Sequence, residues 1–147
     1  GMDRCLMETE FNIVQMDEPD EATWKAIGGG IRDYNIQQTG DREHRLLCFL
    51  IRAPDGEIAG GLIGETYYGW LYVNLLVVKE ELRGRGYGDR LLTLAEEEAR
   101  RRGMTNAYLD TFSFQAPDFY KRHGYQVFGE LKDFPPGHQR YFLMKRL

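Results

Sequence analysis

The chain has 147 residues, of which 23 are acidic and 19 are basic, and its formal net charge is −4. This length is typical of one domain that buries its own apolar core without a disulfide or a metal, and the acidic balance argues against electrostatic capture of nucleic acid. No apolar run approaches the roughly 18 residues of a membrane-spanning helix, so we expect a cytoplasmic protein. We expect one domain over residues 2–147, with Gly1 as a remnant of tag removal.

The first 40 residues predict a strand followed by a helix. Residues 11–16 alternate in a way that favours a strand, and Pro19 and Asp20 then begin a segment with apolar side chains at helical spacing. Those side chains are Trp24, Ile27, Ile31 and Tyr34. Three consecutive glycines at 28–30 interrupt the segment, and each costs about 1 kcal/mol relative to alanine in a helix. We therefore expect this helix to split in two or to bend.

Residues 45–78 have the pattern of β-structure. Three runs at 46–51, 57–68 and 70–78 are rich in apolar and β-branched residues and are separated by short glycine-containing turns. This spacing predicts three antiparallel strands, with Cys48 buried in the first.

The second half of the chain predicts a helix between two strands. Its apolar face is formed by Tyr87, Leu91, Leu92, Ala95 and Ala99. Gly103 ends this helix, and residues 106–112 form the next strand. Because a helix connects the strands at 70–78 and 106–112, these two strands are expected to pair in parallel. A short helix at 117–124 and strands at 125–131 and 140–145, joined by a turn-rich loop at 134–138, complete an α+β fold.

A cluster of alternating glycines lies between the strand at 70–78 and the helix that follows it. Its members are Gly84, Gly86 and Gly88, accompanied by Arg83, Arg85 and Arg90. The first turn of a helix has unpaired N–H groups, and glycines let a phosphate approach them closely. A P-loop would need a Gly-Lys-Ser/Thr ending, and a dinucleotide fingerprint would need its third glycine at Asp89, one place after Gly88. The cluster therefore fits neither of those motifs.

The pattern Arg83-x-x-Gly86-x-Gly88 resembles the acetyl-CoA pyrophosphate loop of the GNAT superfamily of N-acyltransferases. Residues 119–125, Phe-Tyr-Lys-Arg-His-Gly-Tyr, look like a later signature of the same family. The resemblance implies a GNAT-like acyl-CoA N-acyltransferase fold of α+β class: a mostly antiparallel mixed sheet of six to seven strands flanked by about four helices. It also implies transfer of an acetyl group from acetyl-CoA to a primary amine by direct attack in a ternary complex.

The resemblance also implies roles for particular residues. The strand at 70–78 would splay from the strand at 106–112, and the pantetheine arm would insert there, with the Leu76 N–H donating to the oxyanion. The residues expected to bind acetyl-CoA are Leu76, Val77, Val78, Arg83, Gly84, Arg85, Gly86, Tyr87, Gly88 and Asp89. Tyr120 is the candidate acid for the coenzyme A thiolate, because the ordinary pKa values of a thiol and a tyrosine, near 8.5 and 10, are close.

The group that accepts the proton of the attacking amine departs from the family's simplest pattern. Alignment on Arg83 puts Tyr72 where some members have a glutamate on this strand, so a direct carboxylate base is excluded there. Period-two alternation places Tyr72, Asn74 and Leu76 on one face, where Tyr72 and Asn74 would hold a water that relays the amine proton. Glu65 and Asp110 on the flanking strands are alternative carboxylates.

The acceptor and the partners stay open at this stage. Small amines, polyamines, aminoglycoside-like antibiotics, amino acids and protein amines all fit the expected chemistry. No pair of histidines has metal-ligand spacing, so we expect no metal. Edge strands and the final hairpin offer surfaces for a homodimer. The alternative to an enzyme is a non-catalytic module that binds acyl-CoA for regulation.

Overall fold

Six strands form one mixed sheet in the computed structural model, which describes residues 10–40 and 43–147. The strands are β1 (Arg45–Arg52), β2 (Ile58–Tyr67), β3 (Trp70–Val78), β4 (Asn106–Phe112), β5 (Gln126–Lys132) and β6 (Gln139–Arg146). Their order in the sheet is β1-β2-β3-β4-β6-β5. Only β3 and β4 run parallel, and every other neighbouring pair is antiparallel. The predicted α+β class and the mostly antiparallel mixed sheet are confirmed.

The described residues contain three α-helices instead of the expected four. They are α1 (Glu21–Thr39), α2 (Tyr87–Arg101) and α3 (Pro117–Arg122), and a single 3₁₀ turn, Glu80–Leu82, precedes α2. Two compact units make up this part of the chain: α1 belongs to residues 10–40, whereas the sheet, α2 and α3 belong to residues 43–147. The prediction of one domain over residues 2–147 stays a prediction, and residues 1–9 lie outside the described part.

In the first unit, the prediction of a strand at 11–16 and the prediction that the glycines split the helix are both wrong. Residues 11–16 form no strand in the described structure, because the β-propensity of Phe, Ile and Val acts only where a neighbouring strand offers a surface to pack on. The helix α1 continues unbroken through the glycines at 28–30. Glycine weakens a helix without forbidding helical angles, and α1 is secured at both ends: the Asp20 carboxylate accepts from the Thr23 N–H at 2.8 Å, and Gly40 ends it at a φ of 77°.

The core lies between α2 and one face of the sheet. Four of the five residues predicted for the apolar face of α2 are buried and pack against the inward side chains of five strands, whereas Tyr87 is half-buried and lies outside this core. The buried core residues include Leu47, Leu62, Leu71, Val73, Leu91, Leu92, Ala95, Ala99, Ala107, Leu109 and Leu143. This packing fixes the start of α2, and therefore the glycine cluster, at the C-terminal edge of β3. Because Leu47 points into the core, alternation turns Cys48 to the opposite face, where it is exposed and not buried as expected.

The parallel pairing of β3 and β4 covers less than half of β3. It begins at Trp70 opposite Asn106 and ends at Val73 opposite Leu109, whereas β3 continues to Val78 and β4 to Phe112. The two strands therefore part at their C-terminal ends. Backbone groups of β3 beyond Val73 are left facing an opening in the sheet.

A β-bulge at Asn74 changes which side chains of β3 share a face. Ile63 of β2 lies opposite Leu75, and Gly64 lies opposite Val73, so Asn74 is an extra residue in β3. Gly64 has no room for a side chain, since a Cβ atom there would lie 2.5 Å from the carbonyl oxygen of Tyr72.

The bulge puts Leu76 opposite the fully buried Leu62, on the core face with Val73. The expectation that Tyr72, Asn74 and Leu76 share one face is therefore wrong, because an inserted residue reverses the alternation.

Candidate active site

A cleft of about 750 Å³ lies where β3 and β4 part, bounded by the glycine cluster and by α3. It brings together most of the residues singled out in the sequence. Those that line it are Asn74, Leu76, Val77, Val78, Arg83, Gly84, Gly86, Tyr87, Gly88, Asp89, Asp110 and Tyr120. Arg85, Tyr72 and Glu65 are not among its lining residues. Phosphate-binding and acid-base candidates thus occur along one continuous cavity.

The glycine cluster bends the chain into α2 through two left-handed residues. Gly84 and Gly86 have φ values of 77° and 81°, a region that residues with a Cβ atom rarely adopt. Gly86 is the N-cap of α2, and no side chain caps the helix. Arg83 holds the segment against the end of β3, because its Nε donates to the carbonyl oxygen of Val78 at 3.1 Å. The first-turn N–H groups therefore remain available to an anion in the cleft.

The bulge at Asn74 directs the backbone of Leu76 toward the same opening. The Lys79 N–H donates to the carbonyl oxygen of Ala59, near the start of β2, at 2.9 Å. Because successive residues of a strand present their N–H and C=O groups to opposite sides, Val77 also faces β2, whereas Leu76 and Val78 face away from it. The contact of Arg83 with the Val78 carbonyl agrees with this direction. Without the extra residue, the Leu76 N–H would point to β2.

Tyr120 lines the cleft and is buried, with 8 % of its surface exposed. The rings of Phe119 and Tyr125 pack edge-on against it, with centroids at 5.1 and 5.9 Å. Burial, and then the negative charge of Asp110, raise the pKa of Tyr120 to about 12. Its hydroxyl has no hydrogen-bond partner among the described residues. Every fully buried side-chain polar atom in those residues does have a partner, so the hydroxyl is not fully buried and opens into the cleft. At neutral pH it is a free donor.

Asp110 connects the cleft to Tyr72 through a network that the sequence did not reveal. Its Oδ1 accepts from Arg140 Nε and Nη2 at 2.9 and 2.6 Å, and its Oδ2 accepts from the Tyr72 hydroxyl at 3.2 Å. Burial, and then the charge of Asp110, raise the pKa of Tyr72. The Arg140 guanidinium lies 5.2–5.5 Å from the centroids of three phenylalanine rings, which hold it in place. Tyr72 thus reaches the cleft only by way of Asp110.

Glu65 lies apart from this network. It pairs in register with Tyr72, but its Oε2 is 2.7 Å from His44 Nε2 and it does not line the cleft. Asn74, by contrast, lines the cleft directly. Of the acid-base candidates named from the sequence, the structure therefore brings Asn74 and Asp110 to the cavity, puts Tyr72 one hydrogen bond behind it, and leaves Glu65 outside.

Asp89 forms a second pair that joins α2 to α3. Its Oδ1 lies 2.7 Å from Nε2 of His123, the C-cap residue of α3. The imidazole side chain is 18 % exposed and packs on the Phe119 ring at 4.9 Å. The two residues are 34 positions apart, so no local sequence signal could have paired them. This contact links the start of the glycine-led helix to the helix that carries Tyr120.

Two further classes of site were sought in the parts of the chain that the structure describes. Over residues 10–40 and 43–147, no group of three His, Cys, Asp or Glu side chains is arranged to hold a metal ion. None of the helices in these ranges has both the length and the apolar character needed to cross a lipid bilayer.

Comparison with known proteins gives matches over most of the chain. The model of the acetyltransferase (GNAT) family matches residues 7–125. Acetyltransferase Atu2258 of Agrobacterium fabrum is 42% identical over 136 residues, which are 92% of this chain and 99% of that protein. Blasticidin-S acetyltransferase of Streptomyces morookaense is 44% identical over 93 residues, 63% of this chain and 68% of that protein. The crystal structure of an acetyltransferase from Bacillus cereus superposes with a TM-score of 0.83 at 34% identity, covering 91% of this chain and 98% of that one.

Proposed function

The chain belongs to the acetyltransferase (GNAT) family, and we propose that it transfers an acetyl group from acetyl-CoA to a primary amine by direct attack in a ternary complex. The observation that carries this proposal is the cleft itself. It joins uncapped helix N–H groups at Gly86 to a protonated phenol at Tyr120, and it passes the outward-facing backbone of Leu76. An acyl-CoA needs an anion site, a channel and an acid within one cavity.

The residues of the glycine cluster suit the pyrophosphate of acetyl-CoA. Gly84 and Gly86 carry no side chain that would block the approach of a phosphate, and a Cβ atom built on either meets nothing within 4 Å. The backbone N–H groups of residues 84–89 bind the phosphate oxygens, and the side chains of Arg83 and Arg85 add positive charge. Leu76, Val77 and Val78 contact the pantetheine arm where β3 leaves β4.

Acetyl-CoA supplies a thioester, and the chain supplies the groups that respond to charge during transfer. The Leu76 N–H donates to the carbonyl oxygen as negative charge develops there. The amine nitrogen forms the new C–N bond while the C–S bond breaks, and Tyr120 donates a hydrogen bond to the departing thiolate. With its pKa near 12 against about 8.5 for a thiol, Tyr120 stabilises the thiolate without giving up its proton completely.

The proton of the attacking amine leaves toward Asp110. Asn74 lines the cleft beside it and positions a water between the amine and the carboxylate. The Tyr72 hydroxyl and Arg140 fix the two carboxylate oxygens, so that Asp110 is oriented for this relay. Glu65 takes no part, since it pairs with His44 away from the cavity.

The acceptor is a small-molecule amine. The similarity to blasticidin-S acetyltransferase supports this class over a protein amine. The test incubates the protein with acetyl-CoA and a panel of primary amines that includes polyamines, aminoglycosides, amino acids and blasticidin S, while thiol release and the mass of the acetylated product are followed. We expect equal amounts of thiol and N-acetylated product for at least one amine. Tight binding of coenzyme A without turnover on any amine would contradict the proposal and favour a non-catalytic acyl-CoA-binding module.

A further inference from the structure

We propose that His123 is a positioning residue that draws the Asp89 carboxylate away from the start of α2 and so keeps this helix end open for the pyrophosphate of acetyl-CoA. The inference rests on the proposed function, because it concerns the same anion site. It adds a residue that lines no part of the cleft and lies outside the glycine cluster.

The position of Asp89 creates the difficulty that His123 resolves. With Gly86 as N-cap, Asp89 is the third residue of α2. An acidic side chain at this position commonly turns back toward the helix N-terminus and is stabilised by the partial positive charge there. A carboxylate in that conformation would accept from the same N–H groups that a pyrophosphate needs, and it would also repel the phosphates.

The structure gives Asp89 a different partner. No side chain caps α2, and the one hydrogen bond of the Asp89 carboxylate within the described ranges goes to His123, at 2.7 Å. The imidazole is itself fixed, since it is mostly buried and packs on Phe119, whose ring lies 3.5 Å from the position of a Cβ atom on Gly88. The donor therefore stays where it can hold the carboxylate off the helix end.

The charges of the cleft follow the same arrangement. Among the lining residues in the described part of the chain, only Asp89 and Asp110 are acidic. Asp110 is paired with Arg140 and Asp89 with His123. Each carboxylate of the cavity thus has a basic partner. The two arginines that line the cavity, Arg83 and Arg122, form no ion pair among the described residues. This balance suits a polyanionic ligand.

The test measures coenzyme A affinity by titration calorimetry for four proteins: the wild type, His123→Ala, Asp89→Ala and the double variant. In His123→Ala the released carboxylate competes for the helix end, so the Kd for coenzyme A should rise about tenfold. Asp89→Ala keeps the backbone N–H that is assigned to the phosphate and removes only the carboxylate, so it should bind at least as tightly as the wild type. The double variant should recover wild-type affinity within about twofold. His123→Gln, which retains an N–H donor, should stay close to the wild type.

A purely structural link between α2 and α3 would give another pattern. Asp89→Ala would then weaken coenzyme A binding as much as His123→Ala does, and the double variant would not recover wild-type affinity. Either result overturns the inference. Unfolding midpoints of all variants are recorded alongside, so that a loss of fold is recognised as such. If the wild type itself fails to bind coenzyme A, the proposed function fails together with this inference, whereas equal affinities in the wild type and His123→Ala overturn the inference alone.

Discussion

Replacing Gly86 by alanine should weaken acetyl-CoA binding through the backbone alone. Gly86 has a φ of 81° and a ψ of 8°, in the left-handed region, and a Cβ atom there would meet nothing within 4 Å. The substitution therefore adds no clash, only the penalty of about 1–2 kcal/mol for an L-residue in this conformation. If the segment relaxes to escape that strain, the first N–H groups of α2 turn away from the cleft.

The penalty of about 1–2 kcal/mol corresponds to a factor of roughly 5 to 30 in an equilibrium constant. We therefore expect the KM for acetyl-CoA to rise about tenfold in Gly86→Ala, with kcat changed less. Steady-state kinetics at saturating amine measure both constants. Gly103→Ala is the matched control, since Gly103 also has a positive φ, 83°, and open space around its Cβ position. It follows the other end of α2, on the order of 20 Å away.

Both variants should lose similar thermal stability, but only Gly86→Ala should change the KM. Equal KM values in the two variants, at equal losses of stability, would refute the assignment of the glycine cluster to the pyrophosphate. A fall in kcat at constant KM in Gly86→Ala would also refute it, because the cluster would then act on the chemical step instead of on binding.

Three further predictions concern the proton path, the buried phenol and the core. Asp110→Asn should lower kcat in steady-state kinetics, whereas Glu65→Gln should leave kcat unchanged; the opposite result would transfer the relay to Glu65. Because the pKa of Tyr120 is raised from 10 to about 12, its contribution to stability is complete below pH 10 and is lost as the pH rises through 12. Denaturant titrations should show that, between pH 10 and 12, the free energy of unfolding falls by about 2–3 kcal/mol less in Tyr120→Phe than in the wild type. An identical fall in both proteins would contradict the raised pKa. Tyr125→Phe removes the donor to the buried Glu96, 2.8 Å away, so unfolding free energy should fall by about 1–3 kcal/mol with KM unchanged; unchanged stability would contradict the role of this bond.

Local signals in the sequence predicted the sheet-forming runs, the apolar face of α2 and the position of the glycine cluster. These features depend on periods of two or 3.6 residues, or on backbone angles that require glycine at Gly84 and Gly86. The structure confirms the predicted sheet with six strands, and the family model confirms the predicted family. The described residues contain one helix fewer than expected. The roles of individual site residues stay predictions until the variants are measured.

Features that depend on contacts between distant segments could not be predicted. The residues of β3 give no sign of a bulge, because Asn74 is an extra residue only relative to the register of the neighbouring strand β2. The partner of Asp110 is Arg140, 30 positions away. The strand expected at 11–16 is absent because local β-propensity alone does not make a strand.

The most direct test of the account is single-turnover acetyl transfer by Tyr120→Phe, with the Kd for coenzyme A measured on the same preparation. The variant removes only the hydroxyl that opens into the cleft, and the ring keeps its packing against Phe119 and Tyr125. We predict a rate constant for transfer lower by a factor on the order of 10², with the Kd for coenzyme A within about twofold of the wild type. An unchanged rate constant would contradict the claim that Tyr120 stabilises the leaving thiolate in an acetyl-CoA cleft.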